Sequence, residues 1–479
     1  MTKNTLTTSP SLHIHMIAIC GTAMGPFALM LKEKGHRITG SDENIYPPIS
    51  TMLQDHQIPI FSKFQASNLE PKPDLVIIGN AVSRGNPEAE AVLEQKIRYV
   101  SLPEAIKNFF LWEQKSIVVA GTHGKTTTTA MLAWVFTQAE LKPSYIIGGI
   151  PIGMKSGTQL GSGDFFILEG DEYDSAFFDK RAKFLHYLPD TVVINNIEYD
   201  HADIYNSLEE IVLSFKRLVN TIPLNGFLTG PLDDKNFLEL ASNAFCPVEL
   251  IGEAPTAKWS ADNITVNSMG TSFDLYECGI LRCRLSIRLL GIHNVKNTLA
   301  VVAVARHYGI DWDKIVDSLG SFTGVRRRLE IKGEVNDITV YDDFAHHPTA
   351  VNSTLEALNQ AFPKEKIWAV FEPRTATSIR RIFQEAYIAA FDHADFVIIA
   401  PAFKLEKAPF ENRFSVEELV LELLDRGVKA RAITSIDLIV SYLGKNVKKG
   451  NKIVFMSNGG FGNIHDKMLN HLASLEQIV

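Results

Sequence analysis

Residues Ser116–Thr129 read SIVVAGTHGKTTTT, and this stretch decides the fold. The run Ser116–Ala120 is apolar and short, which predicts a buried strand. It enters a glycine loop, Gly121-Thr122-His123-Gly124, and then Lys125-Thr126-Thr127. Met131, Leu132, Trp134, Val135 and Phe136 follow at helical spacing. A strand, a glycine loop and a helix opening on Lys-Thr form a phosphate-binding loop. The glycines let backbone N–H groups approach phosphate, and the helix N-terminus favours negative charge. Lys125 is expected to reach the β- and γ-phosphates of ATP, with the Thr126 hydroxyl on Mg2+. The stretch departs from G-x-x-x-x-G-K-[ST] at one point: Val119 stands where the first glycine belongs.

Downstream, two more apolar strands end in polar clusters. Asp164–Leu168 leads into Glu169-Gly170-Asp171-Glu172-Tyr173-Asp174, and Thr191–Ile194 leads into Asn195–Asp203 with Asp200-His201. Carboxylates at the C-terminal ends of parallel strands lie where open α/β sheets bind ligands. Carboxylate oxygens suit Mg2+, and a neutral imidazole can ligate a metal. Cys246–Ile292 is β-rich, and Asn297–Tyr308 is alanine-rich and helical.

Upstream, Leu12–Cys20 runs into Gly21-Thr22-Ala23-Met24-Gly25, a helical pattern to Gly35, and the strand Arg37–Gly40. This βαβ unit has G-x-x-x-G rather than G-x-G-x-x-G, and Asp42 stands where an acid can bond a ribose hydroxyl. Asp74–Gly79 adds a strand. After Phe322-Thr323-Gly324, short strands at Ile338–Tyr341, Lys366–Phe371, Asp395–Ala400 and Lys452–Met456 alternate with helical patterns. The expected class is therefore α/β with three domains. They are a Rossmann-like N-terminal domain (1–112), a central P-loop ATPase domain (113–324) and a Rossmann-like C-terminal domain (325–479). A chain of 479 residues fits that number at roughly 150 residues per domain.

Composition narrows the function. Hydrophobic residues at 46% and charged residues at 21% exclude disorder and fibrous classes. The net charge of −8 gives no footprint for nucleic acid or an anionic membrane, so a bound anion must be held by local groups. No run of 18 apolar residues occurs, so membrane insertion is not expected. Met1–Pro10 is polar and has no apolar signal-peptide core. Cys20, Cys246, Cys278 and Cys283 form no C-x-x-C pair. Four reduced thiols in a cytoplasmic protein are expected.

Further motifs lie at Gly291-Ile292-His293-Asn294 with Asn297, at Arg326-Arg327-Arg328, at Asp342–Pro348, and at Ser457–Gly462, a second candidate anion loop. Arginine forks suit phosphate and carboxylate. Arg374 follows the strand Lys366–Phe371 and is a candidate for facing a domain cleft.

Together the loop at 121–127, Glu169, Asp200-His201, H-N-x-x-N at 293–297, R-R at 327–328 and D-x-A-H-x-P at 343–348 resemble the Mur ligase family, over about residues 12–470. Its members are ATP-dependent amide-bond ligases of bacterial peptidoglycan synthesis. The loop at 121–127 is the family's form of the phosphate loop, which accounts for Val119. ICGTAMG (19–25), NIYPPIST (44–51), IIGNAVSRGNPE (77–88), DEYDSAFFDKR (171–181), DDFAHHPTA (342–350) and SNGGFGNIH (457–465) resemble the branch that recycles cell-wall peptide.

The resemblance implies joining UDP-N-acetylmuramate to L-alanyl-γ-D-glutamyl-meso-diaminopimelate through an acyl phosphate, with ATP becoming ADP and phosphate. It implies Gly121, Thr122, His123, Gly124, Lys125, Thr126, Thr127, His293, Asn294, Asn297, Arg328 and Asp343 on ATP. Gly21, Thr22, Ala23, Met24, Gly25, Ser41, Asp42 and Asn80 fall on the UDP-sugar. Arg374 and His346 are candidates for the peptide. Thr126 and Glu169 would hold one metal ion and His201 a second. Lys125, Glu169 and His201 carry the chemistry. The proton of the incoming amine could pass to Glu169, Asp200, His201 or water. Some Mur ligases carry a carbamylated lysine past the D-H pair; here Lys216 is near that place, and Phe215 holds the register. A monomer or weak dimer is expected. The rivals are a UDP-N-acetylmuramate–L-alanine ligase, a P-loop ATPase acting on a protein partner, and a nicotinamide or flavin oxidoreductase, which the missing G-x-G-x-x-G disfavours.

Overall fold

A computed structural model describes residues 11–253 and 256–476; Met1–Pro10 lies outside the described residues. Three large sheets organise the chain, beside a two-stranded hairpin of Asp174–Ala176 and Asp179–Ala182. The first is five-stranded and wholly parallel, in the order Ile60–Phe61, Arg37–Ser41, His13–Ile17, Leu75–Ile78, Tyr99–Ser101. The order reverses at His13–Ile17, so a ligand crevice opens beyond the C-terminal end of that strand.

The second sheet has ten strands. Lys115–Ala120 lies in its parallel region, flanked by Pro189–Ile194 and Phe165–Glu169. Phe227–Pro231 and Val248–Gly252 extend it, and the antiparallel meander Trp259–Asn267, Gly270–Glu277, Ile280–Ile287 closes one edge. Ile117, Val118, Val119 and Ala120 are fully buried because helices cover both faces of the sheet. The helix Lys125–Gln138 packs on the helices Ile292–His307 and Trp312–Ser321. Phe136, Phe165 and Tyr308 lock that layer, with ring centroids 5.0 and 4.9 Å apart along the chain of contacts. Edge-to-face pairs of this kind contribute about 1 kcal/mol each beyond area burial.

The third sheet has six strands, in the order Glu330–Val335, Ile338–Asp343, Lys452–Met456, Ile367–Phe371, Phe396–Ile399, Lys429–Ala432. All pairs are parallel except the first hairpin. The β-rich stretch and the helix expected near Asn297 both form, but the helix starts earlier, at Ile292, so His293 and Asn294 stand in its first turn. Among the described residues, no helix is long and apolar enough to cross a membrane.

Candidate active site

One cavity of about 1840 Å3 is lined from all three sheets. It receives the loop after His13–Ile17, the phosphate loop, the ends of Phe165–Glu169 and Pro189–Ile194, and the segments Arg328–Leu329 and Asp343–His346. The phosphate loop owes its shape to two glycines. Gly121 has φ +126° and Gly124 φ +79°, and a Cβ on Gly124 would fall 2.7 Å from both Asn195 Nδ2 and Asn297 Oδ1. Val119 is inside the strand, paired with Val193 and Glu169, so the loop begins only at Gly121.

Lys125 turns back over this loop. Its Nζ donates to the Gly121 carbonyl at 2.7 Å and to both oxygens of Glu172 at 2.9 and 2.8 Å. Glu172 also faces His201, whose Nε2 lies 2.8 Å from its Oε1. The acid is 2% exposed. Burial alone would raise the carboxyl, but the Lys125 charge and the His201 bond hold it below the usual carboxylate range. For His201 burial alone would lower the imidazole; the Glu172 bond and the Glu172 and Asp200 charges outweigh that and raise it. His201 sits at φ +55°, an uncommon backbone for a non-glycine residue and one that clusters at functional sites.

The other half of the site is an oxygen pair. Thr126 Oγ1 donates to Glu169 Oε1 at 2.9 Å, and the Gly148 amide donates to the other Glu169 oxygen at 2.6 Å. Arg328 Nη2 donates to Thr126 Oγ1 at 2.9 Å. A hydroxyl and a carboxylate at the mouth of a phosphate loop are a hard-oxygen set that fits Mg2+. Glu172 holds His201 by Nε2, which leaves Nδ1 as its other ring nitrogen for an ion.

His293 accepts from Asn294 Nδ2 at 3.0 Å, and Asn297 donates to Asn294 Oδ1 at 3.1 Å. Burial pushes His293 down to about 4, so it is neutral near pH 7. Asn297 packs on Gly124 and so faces the phosphate loop itself. Asp343 is bracketed by the amides of Leu329 and Ala345 at 2.6 and 2.7 Å, which makes it the fastening of the arginine loop. Arg327 braces the Ser457–Gly459 carbonyls, donating to Ser457 and Gly459 at 2.7 and 2.6 Å. That loop turns carbonyls toward a cation, which does not fit the anion loop its glycines suggest.

Gly21, Thr22, Ala23, Met24, Asp42 and Asn80 line the cavity at the sheet's switch point. Asp42 also accepts from the Cys20 and Asn44 amides at 2.9 and 2.8 Å, which shapes that loop. Two residues expected there face elsewhere. Ser41 is fully buried and bonds Glu88, which in turn bonds His15 at 2.8 Å. Gly25 lies in the helix Met24–Glu33, where a Cβ would fall 2.4 Å from Ile49 Cγ2; its smallness serves helix packing.

His346 lines the cavity, with Nε2 3.8 Å from Asp200 Oδ2, and burial pushes it down to about 4. Arg374 stands outside the cavity wall, stacked on Phe403 at 3.7 Å and beside Gly459. Lys216 is exposed on the helix Leu208–Val219, whereas Phe215 is buried against Phe184, so Lys216 does not reach the site. Glu172 stands in the acidic cluster at 169–174 singled out from the sequence, which assigns it no role of its own. Its place in an acidic strand end was the only available signal, because its partners are 47 and 29 residues away in the chain.

Family models cover most of the chain. The Mur ligase family catalytic domain matches residues 13–111, the Mur ligase middle domain 119–305, and the glutamate ligase domain 327–459. The UDP-N-acetylmuramate–L-alanyl-γ-D-glutamyl-meso-2,6-diaminoheptandioate ligase of Escherichia coli is 42% identical over 96% of this chain and 98% of its own. The UDP-N-acetylmuramate–L-alanine ligase of Clostridium acetobutylicum is 32% identical over 95% of this chain and 97% of its own. A crystal structure of a murein peptide ligase from Psychrobacter arcticus superposes with a TM-score of 0.71 at 34% identity, covering 96% of this chain and 99% of that one. With its phosphate loop, acidic strand ends and arginine loop in family order, the chain belongs to the Mur ligase family.

Proposed function

We propose that this chain is an ATP-dependent ligase joining the carboxylate of UDP-N-acetylmuramate to the amine of L-alanyl-γ-D-glutamyl-meso-diaminopimelate, with release of ADP and phosphate. The observation that carries it is the single cavity in which the first sheet's switch point, the phosphate loop and the third sheet's loops meet. A carboxylate oxygen is a poor leaving group, so it must first take the γ-phosphoryl group; the amine then displaces phosphate. Both reactants are anions, and the work of the site is positioning and charge neutralisation.

Lys125 leaves Glu172 for the β- and γ-phosphates. Arg328 reaches the same phosphates from the third unit. Thr126 and Glu169 would hold Mg2+, which supplies charge to the transferring phosphoryl group. Glu172 keeps His201 oriented at the cavity wall. His293, Asn294 and Asn297 take the nucleotide, and Gly21–Met24, Asp42 and Asn80 take the UDP-sugar. His346 and, on closure of the third unit, Arg374 take the peptide. The domains expected at 1–112, 113–324 and 325–479 are proposed as the moving parts, and the location is proposed as cytoplasmic.

The test is an acceptor panel. Phosphate release with ATP and UDP-N-acetylmuramate is measured with no acceptor, with L-alanine, and with the tripeptide. Turnover with the tripeptide and little with L-alanine supports the reading. The reverse order makes the chain an alanine-adding ligase, and turnover without an acceptor makes it an ATPase.

A further inference from the structure

Next to the phosphate loop is a second cluster, of which only His123, as part of the ATP loop, has a role in the proposed chemistry. It comprises His123 of the loop, Glu198 beyond Pro189–Ile194, and His347 of the third unit, with one ligand atom from each within 4.8 Å of the others. His123 Nε2 is 3.5 Å and His347 Nδ1 is 3.8 Å from Glu198 Oε2. A tetrahedral ion with bonds of about 2.0–2.1 Å separates its ligand atoms by about 3.4 Å, so the two pairs to Glu198 need little contraction and the His123–His347 pair, within 4.8 Å, needs more.

The surroundings fix each donor. His347 is 4% exposed and places its Nε2 3.2 Å from the Tyr199 carbonyl. Donation there leaves the lone pair on Nδ1, which accepts the Thr349 amide at 3.3 Å as the helix N-cap and must give up that bond to take an ion. A ring N–H given to a backbone carbonyl is the usual arrangement behind a metal-bound histidine. Thr349 Oγ1 donates to Glu198 Oε2 at 2.6 Å and holds the carboxylate. His123 is anchored through its backbone, its amide donating to Asn196 Oδ1 at 2.8 Å. Its Nε2 is buried and has no hydrogen-bond partner among the described residues. Two imidazoles and one carboxylate favour a zinc-class ion over Mg2+.

We propose that His123, Glu198 and His347 form a site for a zinc-class divalent ion that clasps the phosphate loop to the third unit. Bound there, the ion would restrain separation of the units around the nucleotide and slow turnover.

The experiment titrates Zn2+ into the full-length, nucleotide-free protein in competition with a chromophoric chelator. His347→Asn keeps a good helix N-cap while removing the imidazole. Glu198→Gln keeps an acceptor for Thr349, so the two variants protect each other against a folding failure. His201→Gln reports on ions held at the Glu172 side. The proposal expects one tight ion in the parent and in His201→Gln, and binding at least about tenfold weaker in both His347→Asn and Glu198→Gln. It also expects Zn2+ to slow amide exchange at 121–124, at 344–347 and at Thr349. Parent-like binding in both cluster variants overturns it, as does an equal loss in His201→Gln. A thiolate-to-metal absorption band on substituting Co2+ would assign the ion to cysteines and overturn it as well.

Discussion

Replacing Lys125 by Met removes the charge while keeping most of the side chain's bulk. Lys125 Nζ is 2.8 Å from Glu172 Oε2, and Glu172 is 2% exposed. At an effective dielectric constant of about 20, that separation corresponds to a gross attraction of about 6 kcal/mol. Desolvation opposes it, and removing one member of a buried pair typically destabilises by about 3–5 kcal/mol because a charge is left uncompensated. His201, 2.8 Å from the same carboxylate, offsets part of this, so the lower end is expected. Denaturant unfolding followed by the fluorescence of Trp134, Trp259 and Trp312, all in the middle of the chain, reads the loss. Glu172→Gln in the Lys125→Met background removes the stranded charge and should restore about 2 kcal/mol or more, while turnover remains at least about a thousandfold down in both variants. A double variant no more stable than Lys125→Met would refute the pairing. Near-parent turnover in Lys125→Met would refute the phosphate-loop role.

Gly124→Ala must adopt φ near +79° and push its Cβ into Asn195 and Asn297; an unfolding free energy lower by about 2–4 kcal/mol and weaker ATP binding are expected, measured by denaturation and equilibrium titration. His293 falls to about 4 in the fold against 6.5 when unfolded, so the unfolded chain binds the extra proton and stability drops as pH falls through this window. The gap corresponds to about 3 kcal/mol, and His293→Gln should flatten the slope between pH 7 and 4 by that amount. Arg374→Ala should raise KM for the tripeptide and leave KM for ATP and UDP-N-acetylmuramate near the parent values in steady-state assays; an unchanged tripeptide KM removes Arg374 from the peptide site.

The centre of the fold was legible because apolar runs such as IVVA must be buried and because glycine before Lys-Thr has few other uses. Short strands with weak patterns were not: Phe227–Pro231 reads FLTGP, and only its neighbours on both sides make it a strand. Side-chain direction at strand and loop ends was the other loss. Ser41 and Asp42 are adjacent, yet one turns to Glu88 under the sheet and the other to the cavity. His346 and His347 divide in the same way, one toward Asp200 and the other toward Glu198 and Tyr199. Gly25 shows that one residue type serves ligand approach and helix packing with the same letter. The role of Glu172 depends on contacts between distant segments, which no local pattern encodes.

The measurement closest to the central claim is positional isotope transfer. UDP-N-acetylmuramate labelled with 18O in its lactyl carboxylate is incubated with ATP, Mg2+ and the tripeptide, and the released phosphate is analysed by mass. Activation of that carboxylate by the γ-phosphoryl group predicts one labelled oxygen in each phosphate released, with the UDP-linked peptide product formed in equal amount. Unlabelled phosphate, or release that does not depend on the tripeptide, would contradict the account.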